Sequence, residues 1–208
     1  MSLEEFWNAF YDDTAPFYVS QIIIDEGDEI VSTTKWDDPH NSEKEWVQAI
    51  WERQATAYRT YDAKLHVDDN PFSDHCWSLK NILLLEKTDT KLVLGEVIET
   101  HGVMYSDRFR MLAKWDIFTP DPRSQQVVLR HSYKINWLNK PFAVWRLIEP
   151  VAFNKMNKSL DTLPSWYKSH KEEYLLGLET GVYDLPEEPP YWEIAEGEGA
   201  DKPIDGNF

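Results

Sequence analysis

The chain has 208 residues, 42% of them apolar and 14% aromatic, enough to bury a core and too apolar for wholesale disorder. Lys and Arg number 21 against 37 Asp and Glu, a formal net charge of −16, which argues against a nucleic-acid partner because that affinity rests on cation–phosphate contacts. A single cysteine, Cys76, excludes an intramolecular disulfide framework, and no apolar run reaches the ~18 residues that a membrane-spanning helix requires.

Ser2 and Glu5 have capping-box spacing, and Leu3, Phe6, Trp7, Phe10 and Tyr11 share one helical face, so a short helix is expected that Pro16 ends. Tyr18 to Asp25 is β-rich around Ile22, Ile23 and Ile24 and predicts a first strand. A turn at Glu26-Gly27-Asp28-Glu29 leads into a second strand from Ile30 to Trp36. Ser42 and Glu45 again have capping-box spacing, ahead of Trp46, Val47, Ile50, Trp51 and Ala55, and predict a second short helix.

From Thr56 to Val67, Ala57, Tyr61, Ala63, Leu65 and Val67 share one face of a strand, followed by a loop at Asp68-Asp69-Asn70-Pro71. Leu79 to Lys87 and Lys91 to Thr100 predict a hairpin around Thr88-Asp89-Thr90. Phe109 to Thr119 and Gln126 to Leu138 are two longer strands separated by Pro120-Asp121-Pro122. In the first, Phe109, Met111, Ala113, Trp115 and Ile117 alternate with polar residues; in the second, Val127, Leu129, His131, Tyr133, Ile135 and Trp137 do so. Such alternation gives each strand one wet and one dry face.

Asn139-Lys140-Pro141 reads as a helix start. Phe142, Trp145, Ile148, Ala152, Met156, Ser159, Leu163 and Trp166 then recur at helical spacing, with a kink or break expected at Pro150 and at Pro164. Residues 179–208 read as an acidic, Pro-rich tail through Leu185-Pro186-Glu187-Glu188-Pro189-Pro190, part of which Tyr191 and Trp192 are expected to pin onto the body. The expected fold is therefore α+β: a curved antiparallel sheet of about seven strands wrapped on one long C-terminal helix, the helix-grip arrangement, over residues 1–178.

Several segments resemble the VASt domain, the StART-like lipid-transfer module of the GRAM-domain sterol transporters. Leu3-Glu4-Glu5-Phe6-Trp7 and Phe10-Tyr11-Asp12-Asp13 are similar to its first helix, and Gly27-Asp28 to Lys35-Trp36 to its first hairpin. Thr100-His101-Gly102-Val103-Met104-Tyr105-Ser106-Asp107-Arg108-Phe109 is similar to its Thr…Val-Pro-Tyr-Gly-Asp-x-Phe segment, with Met104 in place of Pro and Ser106 in place of Gly. Tyr133-Lys134-Ile135-Asn136-Trp137 and the helix through Trp145, Ile148 and Glu149 are similar to its last strand and helix. The resemblance covers roughly residues 3 to 176. It implies a lipid-transfer domain whose ligand is a sterol or related lipid, acting from the cytoplasm with recruitment to endoplasmic-reticulum membrane contacts.

Residues expected to line a ligand cavity are Tyr105, Met111, Ala113, Trp115, Ile117, Leu129, His131, Tyr133, Ile135, Ile148, Ala152 and Met156. The same residue types also fill ordinary cores, and topology favours the cavity because an open grip is hard to fill with side chains alone. His131 and Tyr133 are placed to bond a sterol hydroxyl, or His131 is satisfied by a core neighbour. Tyr105, Ser106 and Asp107 form either the rim of the pocket or a plain turn.

His66, Asp68, Asp69, Asp74, His75 and Cys76 form a cluster of metal-ligating types whose spacing fits no zinc pattern. No nucleophile elbow or phosphate-cradling glycine loop is present, so neither cofactor nor catalysis is expected. A cyclase or hydrolase of the same broad fold would need titratable groups converging inside, with His131, Glu96 and Glu99 as candidates, and a pocket-less interaction module is the other alternative. The start Met1-Ser2-Leu3-Glu4-Glu5 lacks a signal peptide's basic and apolar segments, in keeping with a cytoplasmic setting. Arg146, Lys155, Lys158, Lys168, His170 and Lys171 make the last helix locally basic, a solvated face or a transient contact for anionic headgroups. The expected partners are a lipid ligand, a membrane surface and, through the acidic tail, a protein.

Overall fold

Six strands pair in sequence order into one antiparallel meander, β1-β2-β3-β4-β5-β6. They are β1 (Glu29–Thr33), β2 (Ala57–His66), β3 (His75–Lys87), β4 (Lys91–His101), β5 (Phe109–Phe118) and β6 (Val128–Trp137). Helix α1 (Leu3–Phe10) precedes them, α2 (Gln21–Asp25) follows α1, and α3 (Trp145–Thr180) is the last element among the described residues. This computed structural model describes residues 1–19, 21–25, 27–37, 47, 50–51, 53–66, 74–120 and 126–183. The expected helix start at Ser42 and Glu45, the loop at Asp68-Asp69-Asn70-Pro71 and the tail residues from 184 onward lie outside the described residues.

The capping box forms as its spacing predicts: Ser2 Oγ accepts from the Glu5 backbone N–H at 3.1 Å and Glu5 Oε2 from that of Ser2 at 2.6 Å. α1 ends at Phe10, well before Pro16, because the Trp7 carbonyl takes the N–H groups of both Tyr11 and Asp12. Tyr18 to Asp25 is the clearest departure from expectation: its second half is helix α2, not strand. Strand propensity reports packing on a pleated surface, and among the described residues this segment pairs with no strand. It instead turns Ile22 inward and offers Asp25 Oδ2 to the Trp166 indole N–H at 2.8 Å.

The two ends of the concave sheet face differ. At one end Ala57, Leu84, Leu92 and Ile117 pack against Trp7 and Phe10 of α1 and against Trp166, Tyr167 and Tyr174 of α3. Aromatic rings pack much of that end, with Phe10 and Tyr167 edge to face at 4.8 Å. At the other end Ile98, Phe109 and Met111 face Ile148, Ala152 and Met156 of the first half of α3. The convex face carries a second core, in which Leu83, Leu85, Val93, Val97 and Leu112 meet Val47 and Ala55. Strands β3 and β4 are therefore buried on both faces, which explains their continuous apolar runs. Gly95 admits the Trp51 ring there, since a Cβ would lie 2.8 Å from Trp51 Cε2.

Strand β2 also departs from simple alternation. Arg59 stands on the face of Ala57 and Tyr61, buried to 3% exposure, where it donates to Asp13 Oδ1 at 2.8 Å and the Tyr11 carbonyl at 2.9 Å. Its guanidinium lies over the rings of Tyr18 and Trp36, at 4.5 and 4.7 Å. This is the planar, stacked use that suits Arg to burial.

α3 starts at Trp145, not at the Asn139-Lys140-Pro141 signal, because Ala143 takes a left-handed φ of 62° that no helix continues. Phe142 is consequently 97% exposed and not a member of the helix's inner face. The helix runs through Pro150 and Pro164 without a break and ends at Gly181 with φ 71°. Side-chain bonds stitch it along its length: Trp137 Nε1 to Glu149 Oε1 at 2.8 Å, Tyr133 hydroxyl to Asn157 Oδ1 at 2.6 Å, and Lys155 Nζ to Asp28 Oδ2 at 3.2 Å.

Candidate functional site

The hollow end of the grip encloses a cavity of about 510 Å³ between the sheet and α3, within the ~300–1,000 Å³ of small-molecule sites. Strands β3, β4 and β5 supply one wall through residues including Ile82, Ile98, Phe109 and Met111. α3 supplies the other through Ile148, Ala152, Met156 and Leu160. Each wall follows from a local pattern: alternation on the strands, and helical recurrence at three and four residues on α3.

The rim is apolar as well. Val103, Met104 and Tyr105 from the turn before β5 meet Val144, Leu147 and Val151 from the opening turns of α3. Met104, Leu147 and Val151 line the cavity yet are 48, 73 and 54% exposed, which marks them as its mouth. Tyr105 holds the turn with a left-handed φ of 63°. Cations flank the mouth: Arg108 lies over the Tyr105 ring at 5.2 Å and Lys140 over the Trp145 ring at 3.7 Å. On the opposite flank Asp28, 2% exposed, clamps α3 to the sheet edge, taking Lys155 through one oxygen and the His66 N–H through the other at 2.6 Å.

The deep end holds a small polar group. Lys80 Nζ lies 3.3 Å from Glu96 Oε2, and Glu96 Oε1 accepts from the Trp115 indole at 3.1 Å. Burial alone would push the Lys80 ammonium down, but Glu96 and the Tyr61 hydroxyl outweigh it and its pKa ends raised. Lys80 therefore stays charged and paired. Next to the cluster the Tyr11 and Tyr167 hydroxyls bond at 2.8 Å, and burial followed by that mutual contact raises Tyr11 well above an ordinary phenol. His131 sits against Trp115, ring centroids 3.9 Å apart.

Burial lowers the His131 imidazole to about 4, with Glu96 opposing and Lys80 reinforcing the shift. The unfolded chain then binds more protons than the folded one between pH 6.5 and about 4, so this residue's contribution to stability falls as pH drops through that window. Urea midpoints at pH 7 and pH 5 should therefore differ less in His131→Phe than in the parent protein.

Of the residues singled out from sequence, Tyr105, Met111, Trp115, His131, Ile148, Ala152 and Met156 line this cavity. Leu129 lines a second cavity of about 560 Å³ beside it, between β6, α1 and the middle of α3. Ile117 belongs to the packed end, and Ile135 packs behind Ile98, Phe109 and Met111. Ala113 is buried in β5 and the Tyr133 hydroxyl donates to Asn157 Oδ1, and these four residues are not among those lining the cavity. Alternation assigns a face but not a position along it, which is why packed and hollow ends could not be separated.

Sequence reasoning missed Tyr61 and Lys80 and weighed Glu96 only as a catalytic candidate. The legible signal was Lys80 itself, a charge in the stripe of Cys76, Ser78, Ile82 and Leu84. Of the expected metal-ligating types, His66 and His75 face each other at 5.5 Å and Asp74 Oδ1 pairs with His75 Nδ1 at 2.9 Å. Among the described residues no three His, Cys, Asp or Glu side chains gather to hold a metal ion. Cys76 lines the cavity, and burial raises its thiol pKa.

An apolar chamber clasped between a curved antiparallel sheet and a long closing helix defines a StART-like, lipid-binding class of domain. Comparison with protein families matches residues 1–155 to VASt, the VAD1 Analog of StAR-related lipid transfer domain. The chain belongs to the VASt family. Comparison with curated proteins gave no match. Among the described residues no helix is long and apolar enough to cross a membrane.

Proposed function

We propose that this protein is a non-enzymatic carrier that holds a sterol or related hydrophobic lipid in the cavity and moves it between membranes. The observation that carries this reading is the apolar chamber of about 510 Å³ opening through an exposed apolar mouth. Transferring several hundred Å² of ligand surface out of water is worth about 25 cal/mol per Å². A mouth built from Met104, Leu147 and Val151, with Arg108, Lys140 and Arg146 nearby, suits transient contact with headgroups despite the net charge of −16.

The titratable groups inside support binding over catalysis. Glu96 has one carboxylate oxygen paired with Lys80 and the other accepting from the Trp115 indole, whereas a general base must turn a lone pair to the proton it takes. The lipid-binding domain is assigned to residues 1–178 and the acidic, Pro-rich stretch 179–208 to a protein partner. The setting is cytoplasmic, at endoplasmic-reticulum membrane contacts.

Transfer between liposomes tests the reading. Purified protein should accelerate movement of dehydroergosterol from donor to acceptor vesicles in proportion to its concentration. Lys140→Glu should slow that movement to anionic acceptor vesicles while leaving equilibrium binding intact, because Lys140 flanks the mouth over Trp145 without lining the cavity. No acceleration over spontaneous exchange would refute the carrier.

A further inference from the structure

Among the described residues three buried side-chain nitrogens lack a hydrogen-bond partner, and two of them, Nδ1 and Nε2, belong to His131. Buried polar groups are normally paired, and each exception calls for an explanation. A ring with both nitrogens orphaned would be more comfortable as Phe.

Its position supplies the explanation. The main cavity and the second one share a wall made by Trp115, His131, Leu160 and Leu163. The imidazole is held in that wall between the Trp115 and Tyr133 rings, at 3.9 and 5.5 Å. Ligand space lies next to it, and among the described residues neither ring nitrogen finds a hydrogen-bond partner. The charged groups at the deep end are matched to each other, Lys80 with Glu96 and Glu96 also with Trp115, and the Tyr11 and Tyr167 hydroxyls bond one another.

That matching also fixes the charge of a fitting ligand. Lys80 and Glu96 cancel, and burial keeps His131 neutral. A carboxylate or phosphate at this depth would be an uncompensated buried charge. A neutral imidazole presents one N–H donor and one acceptor nitrogen, and a hydroxyl, which both donates and accepts, can bond either of them.

We propose that His131 is the specificity-determining residue of the cavity, hydrogen-bonding the hydroxyl of an uncharged lipid alcohol whose apolar body extends toward the mouth at Met104 and Leu147. The proposal rests on the carrier reading and adds the residue of this chain that reads the ligand's polar group.

Equilibrium binding of three probes tests it: dehydroergosterol, its 3-deoxy analogue and its 3-sulfate ester. The parent protein should bind the alcohol roughly tenfold or more tightly than either analogue, the size of effect expected when a buried polar site is left unpaired. His131→Phe should bring the alcohol-to-deoxy ratio to about one while melting at or above the parent temperature. His131→Gln, which keeps a donor and an acceptor, should recover part of the ratio. Equal binding of alcohol and deoxy compound by the parent, or an undiminished ratio in His131→Phe, would overturn this assignment and leave the carrier standing. Binding of none of the three by the parent would overturn both.

Discussion

Ala152→Trp will remove most lipid binding while the protein still folds. Ala152 lines the cavity from α3, opposite Met111 and between Ile148 and Met156. An indole projecting from that position occupies the space a ligand needs. In a packed core such an enlargement costs about 1–3 kcal/mol through overpacking, but here it enters a void of about 510 Å³. The loss should therefore appear in affinity, by roughly tenfold for each ~1.4 kcal/mol of displaced contact, with little change in melting temperature. Leu176→Trp is the matched control, since Leu176 is 60% exposed near the far end of α3 and lines neither cavity. Fluorescent sterol titration of the two variants separates the cases. Equal affinities would show that ligand does not occupy the space beneath Ala152.

Glu96→Ala will produce the largest loss of stability. It removes the carboxylate that keeps Lys80 charged beneath the helix and takes the acceptor from the Trp115 indole. Breaking one side of a buried pair typically costs about 3–5 kcal/mol, whereas replacing both members by apolar residues is often close to neutral. The double variant Lys80→Met with Glu96→Leu should therefore regain most of what Glu96→Ala loses, less the bond to Trp115. Denaturant unfolding of the two proteins decides the matter. A double variant no more stable than Glu96→Ala would mean that the pair is not the source of the loss.

Most of the architecture could be read from the chain because periodicity is a local property. The β5 alternation of Phe109, Met111, Ala113, Trp115 and Ile117 faces the helix as its pattern requires, and the hairpin around Thr88-Asp89-Thr90 closes with Thr88 and Lys91 bonded to each other. The errors fall where a distant contact overrides a local preference. Ile22, Ile23 and Ile24 look like a strand core, but the segment coils into α2, tied to Trp166 141 positions away in sequence. Asn139 and Pro141 look like a cap and a first turn, but the left-handed Ala143 delays α3 to Trp145.

The site divides in the same way. Its apolar walls were legible as stripes, while the Lys80–Glu96 pair and the Lys155–Asp28 clamp join groups 16 and 127 positions apart and leave no local pattern. Arg59 shows the converse: a charge on an inward face reads as an irregularity until Asp13, Tyr18 and Trp36 are seen around it.

Native mass spectrometry of protein purified from a eukaryotic host, paired with organic extraction of the same sample, tests the central claim most directly. A carrier of this design should leave the column with one neutral lipid per chain, released on solvent extraction and lost in Ala152→Trp. A sample that flies only at the bare polypeptide mass, yields no lipid on extraction and takes up neither fluorescent sterol nor fatty tracer would contradict it.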